Sequence, residues 1–190
     1  MFRDLVIANR SYRRFAENQS IDTETLTSLV DLARLTPSAA NLQPLKYILS
    51  NTPERNEAVF STLGWAGYLP DWPGPVEGER PSAYIIVLCD TQISKQAGCD
   101  HGIAAQTILL GATELGLGGL MFGSIKRDQL RMQLEIDERY DILLVIALGK
   151  PIEEVVLEDV GPDGNIKYYR DDKAVHHVPK RSLEEVIISR

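Results

Sequence analysis

The segment from His101 to Leu115, HGIAAQTILLGATEL, constrains the fold more than any other part of the chain. It is apolar on nearly every side, and several of its residues are as small as Gly102, Ala104 and Gly111. A helix without a polar face must be buried. In a chain of 190 residues, this helix therefore lies either at the centre of the core or in a contact shared with a second subunit.

Two further apolar runs predict the strands of a sheet. Residues 83–88, AYIIVL, are typical of a strand that is covered on both faces, and residues 142–149, ILLVIALG, indicate a second buried strand. Asp22 can cap a helix that ends before Pro37. Because helices and strands alternate loosely, we predict an α+β fold in one domain, residues 1–190, with antiparallel or mixed strand pairing.

Composition narrows the class of protein and the possible partners. Hydrophobic residues make up 44% and charged residues 25%, as in soluble globular proteins. No apolar run reaches the roughly 18 residues that span a bilayer, and no secretory signal pattern is visible, so we expect a cytoplasmic protein without a membrane partner. Cys89 and Cys99 are too few for a disulfide framework. The net charge of −7 argues against a nucleic-acid partner.

The stretch NRSYRRF, residues 9–15, concentrates positive charge near the start of this acidic chain. The side chains in this stretch that could bind an anion are those of Arg10, Ser11, Arg13 and Arg14. Guanidinium groups present their donors in a fork that matches phosphate oxygens, so the cluster suits a terminal phosphate. The alternative is a solvated basic turn that forms salt bridges with nearby acids. Lys180 and Arg181 form a second basic pair, a pattern that is usually only surface charge.

Two other stretches could contact a flat ligand. In PSAANLQP, residues 37–44, Asn41 and Gln43 each offer a donor and an acceptor, which suits the uracil-like edge of a flavin or a nucleobase. Alternatively, these amides cap backbone groups of their own loop. We interpret GLGGLMFGS, residues 116–124, as a glycine-rich loop that lets a backbone approach a ligand closely or simply ends a helix. Its spacing fits neither GxGxxG nor a P-loop.

The sequence gives little support for a catalytic acid, base or nucleophile, or for a metal site. His101, His176 and His177 have no metal-ligand spacing with the cysteines, and we interpret the adjacent pair as loop residues. No paired carboxylates indicate glycoside hydrolysis. Phosphate donors, amides and a close backbone without a catalytic side chain fit a cofactor that carries its own chemistry.

Five pieces of the chain, in order, resemble the nitroreductase family of FMN-dependent oxidoreductases. They are RSYRRF, PSAANLQP, DHGIAAQTILLGATELGLGG, ALGKP and VPKRSLEEVI. The resemblance covers almost the whole chain. It implies an α+β fold with a central, mainly antiparallel sheet flanked by helices, in an intertwined homodimer with FMN at the interface. The helix that starts at His101 would then belong to both core and interface.

The resemblance also implies which residues bind the cofactor. They are Arg10, Ser11, Arg13, Arg14, Ser38, Asn41, Gln43, Met121, Phe122, Gly123, Lys180 and Arg181. The residues near both chain ends match those that hold the FMN phosphate and the pyrimidine side of the ring. The loop of residues 37–44 usually comes from the partner subunit in this family, and residues 121–123 match the segment that lies against the flavin.

The activity implied by the resemblance is reduction of nitroaromatic, quinone or similar electron-poor substrates with NADH or NADPH. No separate nicotinamide-binding motif is present, which fits a ping-pong mechanism at one shared site. Arg13 is expected to stabilise negative charge on the reduced ring, and solvent could supply the proton. The loop of residues 65–81 holds Trp65, Tyr68 and Trp72, which we expect at the substrate side of the site.

Two alternatives to this activity stay open at the level of the sequence. The first is a specialised flavin enzyme of the same fold, of the dehalogenase or flavin-destructase type. The second is a flavin- or nucleotide-binding sensor without turnover. Neither alternative has a signature of its own in these residues.

Overall fold

The computed structural model describes residues 1–189. The helices are α1 (Phe2–Ala8), α2 (Thr23–Arg34), a 3₁₀ turn (Ala39–Asn41), α3 (Pro53–Phe60), α4 (Asp100–Glu114), α5 (Arg127–Gln133) and α6 (Leu183–Val186). The strands are β1 (Leu45–Ser50), β2 (Ala83–Asp90), β3 (Gly118–Phe122), β4 (Tyr140–Gly149), β5 (Val155–Asp159), β6 (Tyr169–Arg170) and β7 (His176–Lys180).

The first four strands form one antiparallel sheet in the order β1-β2-β4-β3. At its centre, β2 pairs with β4 in a register that sets Ile85 opposite Ile146. Every residue of β2 is buried, as expected for a strand covered on both faces. Both predicted apolar strands are confirmed, and so is the predicted α+β class with a mainly antiparallel sheet.

Helices can cover both faces of this sheet because side chains alternate along β2. Ile85 packs in one hydrophobic cluster with α2 and α4. Its neighbour Ile86 packs on the other face, with Val59 of α3 and Leu130 of α5. Helix α2 begins as predicted after Asp22, whose carboxylate accepts a hydrogen bond from a backbone N–H at 2.7 Å.

Helix α4 is only half covered by its own chain. Ala105 and Ile108 are fully buried against the sheet and α2. At Gly111, an added Cβ atom would lie 2.7 Å from a side-chain carbon of Leu32, so the glycine lets α2 and α4 pack closely without a shift of that side chain. On the opposite side, Ile103 is 40% exposed. Within a single chain, the prediction of a fully buried helix is therefore met on one side of the helix only.

The glycine-rich stretch corrects our interpretation of residues 116–124 as a loop. Residues 118–122 form β3, an edge strand that pairs with β4. At Gly119, an added Cβ atom would overlap the carbonyl oxygen of Ala147 and lie 2.8 Å from a side-chain carbon of Leu109. The glycine at this position therefore lets strands and helix of the protein itself pack closely.

A second sheet of three strands follows the first, in the order β5-β7-β6, with β5 and β7 parallel. It corrects our interpretation of His176 and His177 as loop residues, because both begin β7. His176 is fully buried, whereas Nδ1 of His177 lies 3.1 Å from the carboxylate of Glu158. The strand is not evident in the sequence because it is short, contains Pro179 and forms most of its pairs with β5, which is not its neighbour in sequence.

Candidate functional site

A cavity of about 610 Å³ lies between α1, α4, β3 and β7, and its size is typical of small-molecule sites. Its walls are Phe2, Val6, Asn9, Arg10, Ser11, Arg13, Gln106, Leu109, Leu110, Met121, Tyr168, His176, Val178 and Lys180. The structure therefore brings together five of the predicted cofactor-binding residues, and these come from both ends and the middle of the chain. They are Arg10, Ser11, Arg13, Met121 and Lys180.

Two anchors fix the segment that carries the arginines. The side-chain amide of Asn9 donates to the backbone oxygen of Leu109 at 3.1 Å and to the hydroxyl of Thr113 at 3.0 Å, both on α4. Two residues later, Ser11 forms an isolated parallel bridge with Gly119 on the edge of the main sheet. The arginine cluster is thus bound to a helix and a strand rather than forming a solvated turn.

The cavity is strongly positive. Arg10, Arg13 and Lys180 line it, and none of its lining residues is a carboxylate. The Nε atoms of Arg10 and Arg13 are buried and have no hydrogen-bond partner within residues 1–189. Arginine groups with unused donors, in a cavity wall without a carboxylate, are suited to an anion, above all to a phosphate.

Arg13 is held in a defined position. Its Nη1 lies 3.0 Å from Nε2 of His176, and its guanidinium carbon lies 4.5 Å from the ring centre of Tyr168. The backbone N–H of Arg13 donates to the carboxylate of Glu153, which also forms an ion pair with Arg170 at 2.9 Å. Burial lowers the pKa of Arg13, yet a guanidinium remains charged at physiological pH. Arg13 therefore supplies a fixed positive charge.

His176 faces this guanidinium as a neutral ring. An arginine can only donate, so Nε2 of His176 must accept, and the ring proton lies on Nδ1. That Nδ1 is buried without a partner among the described residues. Burial, and after it the charges of Arg13, Arg170 and His177, lowers the pKa of His176 to about 4.

This low pKa predicts how stability depends on pH. Between about pH 6.5 and 4, the unfolded chain binds a proton at His176 and the folded chain does not. The contribution of this group to the free energy of unfolding is therefore largest above pH 6.5 and decreases as the pH falls towards 4. Urea unfolding of the flavin-free protein across this range should show that the free energy of unfolding falls more steeply with decreasing pH in the wild type than in His176→Gln. Parallel curves for the two proteins would contradict the assignment.

Two predicted phosphate ligands lie outside the cavity. Arg14 forms an ion pair with Glu79 at 2.5 Å, and Arg181 forms one with Glu185 at 3.1 Å. Each directly follows a residue that lines the cavity. At these two places the neighbouring side chains point to different sides of the backbone, so Arg13 and Lys180 face the cavity while Arg14 and Arg181 pair with carboxylates outside it.

The same alternation separates the residues of β3 that were predicted to contact the flavin. Met121 is 36% exposed and lines the cavity. Phe122 points to the other face of the sheet, where its ring centre lies 4.8 Å from that of Trp65. Gly123 follows the strand, is exposed and is not among the lining residues.

The loop that carries the predicted amide ligands lies at the N-terminal end of α4. Ser38, Asn41 and Gln43 do not line the cavity of their own chain. The hydroxyl of Ser38 donates to the buried carboxylate of Asp100, the first residue of α4, at 2.6 Å. Asn41 and Gln43 are exposed.

Trp65, Tyr68 and Trp72 of the loop 65–81 were predicted at the substrate side of the site, but none of them lines the cavity of this chain. Trp65 is surrounded by Phe60, Phe122 and Trp72, with ring centres 5.5, 4.8 and 6.0 Å away. The ring of Tyr68 lies 5.0 Å from that of Tyr168, which does line the cavity. Tyr68 therefore joins this loop to the cavity wall.

The predicted site residues do not include five of the polar or aromatic wall residues, namely Phe2, Asn9, Gln106, Tyr168 and His176. One signal was available for His176. In a strand, residues two positions apart share a face, so His176 and Val178 lie on the same face as Lys180. Had residues 176–180 been recognised as a strand, the prediction that Lys180 binds the ligand would have extended to His176 and Val178.

Other kinds of site receive no support in the described part of the chain. No three or more histidine, cysteine, aspartate or glutamate side chains within residues 1–189 are grouped so that they could hold a metal ion. No helix in that range is both long and apolar enough to cross a membrane. Cys89 and Cys99 are free thiols, the first buried and the second exposed.

Comparison with solved structures places this fold among known ones. A "putative nitroreductase in complex with FMN" from Exiguobacterium sibiricum superimposes with a TM-score of 0.67 at 19% identity, covering 80% of this chain and 89% of that one. An FMN-dependent nitroreductase from Clostridium difficile R20291 has a TM-score of 0.62 at 21% identity and covers 79% and 87%. The fold is therefore shared with nitroreductases.

Comparison of sequences identifies the family. A protein of Archaeoglobus fulgidus named "Putative NADH dehydrogenase/NAD(P)H nitroreductase" is 29% identical over 158 residues, which cover 79% of this chain and 85% of the relative. "Putative NAD(P)H nitroreductase YodC" of Bacillus subtilis is 26% identical and covers 79% and 89%. The model of the nitroreductase family matches residues 7–66 and 90–150, which is more than half of the chain. The chain belongs to the nitroreductase family.

Proposed function

We propose that this protein is an FMN-dependent oxidoreductase that uses NADH or NADPH to reduce nitroaromatic, quinone or similar electron-poor compounds. The observation that carries the proposal is the cavity in which Arg10, Arg13 and Lys180 meet without any carboxylate. A structural neighbour in complex with FMN and relatives named NAD(P)H nitroreductases support it. When bound, FMN would supply the transfer of two electrons between the nucleotide and the acceptor.

The residues present fit an FMN tail. Its phosphate carries nearly two negative charges and requires several charge-assisted hydrogen bonds. Arg10 and Lys180 would bind this group, and the exposed hydroxyl of Ser11 would add a neutral donor. The apolar side chains of Leu109 and Met121 offer a wall against which a flat ring can pack.

Arg13 has a different role in this proposal. Its guanidinium is fixed between His176 and Tyr168, so its charge does not need to move during the reaction. A preorganised positive charge stabilises negative charge that develops on a bound ring. No side-chain acid is required of the cavity, because solvent can deliver the proton.

A second copy of the chain would complete the site. Ile103, on the outer side of α4, is an exposed apolar residue, and Asn41 and Gln43 present their amides away from their own cavity. A homodimer that buries this side of α4 would cover the apolar surface and bring the loop of one chain to the cavity of the other. The dimer is thus part of the proposal, with FMN at the interface.

The proposed mechanism is ping-pong, with NAD(P)H and the acceptor binding in turn over the same ring. A single binding site shared by NAD(P)H and the acceptor explains why the sequence has no separate dinucleotide motif. Trp65, Tyr68 and Trp72 would shape the mouth of the site indirectly, because Tyr68 packs on the cavity residue Tyr168. Phe122, through its contact with Trp65, and Arg14, through its ion pair with Glu79, would support the site from outside the cavity.

Absorbance spectra of the purified protein test the proposal. We expect a yellow protein, or one that becomes yellow with added FMN, whose flavin bleaches under anaerobic conditions with NADH or NADPH and recovers its colour with a quinone. A bound flavin that stays oxidised would instead support a sensor. A colourless protein that cannot be reconstituted with FMN would contradict every flavin-based function.

A further inference from the structure

The loop between α2 and β1 has a conformation that its residues do not favour. Ala40, Asn41 and Gln43 have φ angles of 49°, 54° and 53°, in the left-handed region. None of them is a glycine, and side chains with a Cβ atom adopt this region at a cost in free energy. Such backbone strain persists only where surrounding contacts fix it. Strain in three of four successive residues therefore requires a strong local anchor.

Asp100 provides this anchor from the start of α4. Its side chain is buried, with 5% of the residue exposed. One carboxylate oxygen accepts the hydroxyl hydrogen of Ser38 at 2.6 Å, and the other accepts the backbone N–H of Ala39 at 3.1 Å. The Ser38 oxygen in turn accepts the backbone N–H of Gln43 at 2.9 Å. These bonds form a relay from Asp100 through Ser38 to Gln43.

The relay fixes the backbone and leaves the amide side chains of the loop exposed. Asn41 and Gln43 project from it, and the amide nitrogen of Gln43 donates to the backbone oxygen of Asn41 at 3.1 Å. Ser38 has both its donor and an acceptor position engaged within the relay. Its hydroxyl therefore serves the loop itself, whereas the other two side chains face outward.

We propose that Asp100 is a positioning residue for the flavin site. Acting through the Ser38 hydroxyl, it holds the loop in the one conformation in which Asn41 and Gln43 can meet FMN bound to the second copy of the chain. This proposal rests on the proposed function. A loop that is ordered before binding loses less conformational entropy when the ligand binds, and the gain appears as affinity.

The test compares four variants of the full-length protein. Asp100→Asn leaves one acceptor oxygen where the relay uses two, Ser38→Ala removes the hydroxyl, Ser38→Thr keeps it, and Thr36→Ala removes a nearby hydroxyl that donates to Ala33 instead. We expect the first two to weaken FMN binding about tenfold and to speed hydrogen exchange of the Gln43 backbone amide. Ser38→Thr should have an FMN affinity and a Gln43 exchange rate close to those of the wild type, and Thr36→Ala should behave as the wild type.

The double variant Asp100→Asn/Ser38→Ala adds a second criterion. If the two residues act through one relay, it should bind FMN no more weakly than either single variant. Unchanged FMN affinity in Ser38→Ala, with faster exchange at Gln43, would overturn the proposal, because loop order would then not matter for binding. Loss of affinity only where the dimer dissociates or the whole chain exchanges faster would also overturn it, in favour of a general structural role.

Failure of this proposal can be distinguished from failure of the proposed function. Wild-type protein that binds no FMN would overturn the proposed function and the flavin part of this proposal. The exchange rate at Gln43 is measured on protein without flavin, so it would still decide whether Asp100 orders the loop.

Discussion

Replacing Lys180 with alanine is expected to weaken FMN binding by roughly 10- to 100-fold, the effect of losing one hydrogen bond to a charged group. Lys180 lines the cavity, where no carboxylate competes with a bound phosphate. Fluorescence titration of the apoprotein with FMN measures the change. The loss should be larger at low ionic strength, because salt screens the charge of this exposed ammonium group in the wild type.

The next residue in the chain is the matched control. Arg181 carries the same charge, but it points away from the cavity and pairs with Glu185 at 3.1 Å. Arg181→Ala should therefore change FMN affinity by less than about twofold, since exposed ion pairs of this kind contribute little. Equal losses in the two variants would mean that net charge near the C-terminus, and not the cavity wall, determines binding.

The second large effect concerns stability. Gly119→Ala is expected to destabilise the protein by about 3 kcal/mol or more, because the added methyl group would overlap the backbone oxygen of Ala147 and crowd side-chain carbons of Leu109 and Leu148 at 2.8 and 2.9 Å. A backbone oxygen in a paired strand cannot move aside. For a domain of this size, such a loss lowers the melting temperature by about 10 °C, which calorimetry measures.

Gly123→Ala tests whether the loss of stability is specific to position 119. An added Cβ atom at Gly123 meets nothing within 4 Å, and the backbone there is not in the left-handed region. We expect its melting temperature to remain within about 2 °C of the wild type. Similar destabilisation by both substitutions would show that glycine is needed in this stretch for another reason than packing.

The elements predicted correctly are those whose signal is local. The run at residues 83–88 has no polar position, so it indicates a doubly covered strand without knowledge of its partners. β3 and β7 lack such a run. Gly118 and Gly119 suggested a loop, and the strand is evident only once β4 lies beside it. β7 contains Pro179 and depends on β5, so its pairing could not be read from its own residues.

The candidate site shows the same division. The family resemblance placed Arg10, Arg13 and Lys180 at one ligand, and the structure brings them to one cavity. It does not bring Arg14 there, because the direction of each side chain depends on the local course of an extended backbone, which charge patterns do not encode. The role of Ser38 was also not evident, since its partner Asp100 is distant in sequence.

The two sheets differ in where they lie along the chain, and this sets the order in which a new molecule can mature. All four strands of the main sheet precede residue 150, whereas the cavity wall formed by β7 begins only at residue 176. Because synthesis runs from the N-terminus, every strand of the main sheet leaves the ribosome before the wall of the cavity does. A ligand can therefore meet a complete cavity only after β7 has been synthesised, and a premature stop after β4 would remove this wall while leaving all four strands of the main sheet in the chain.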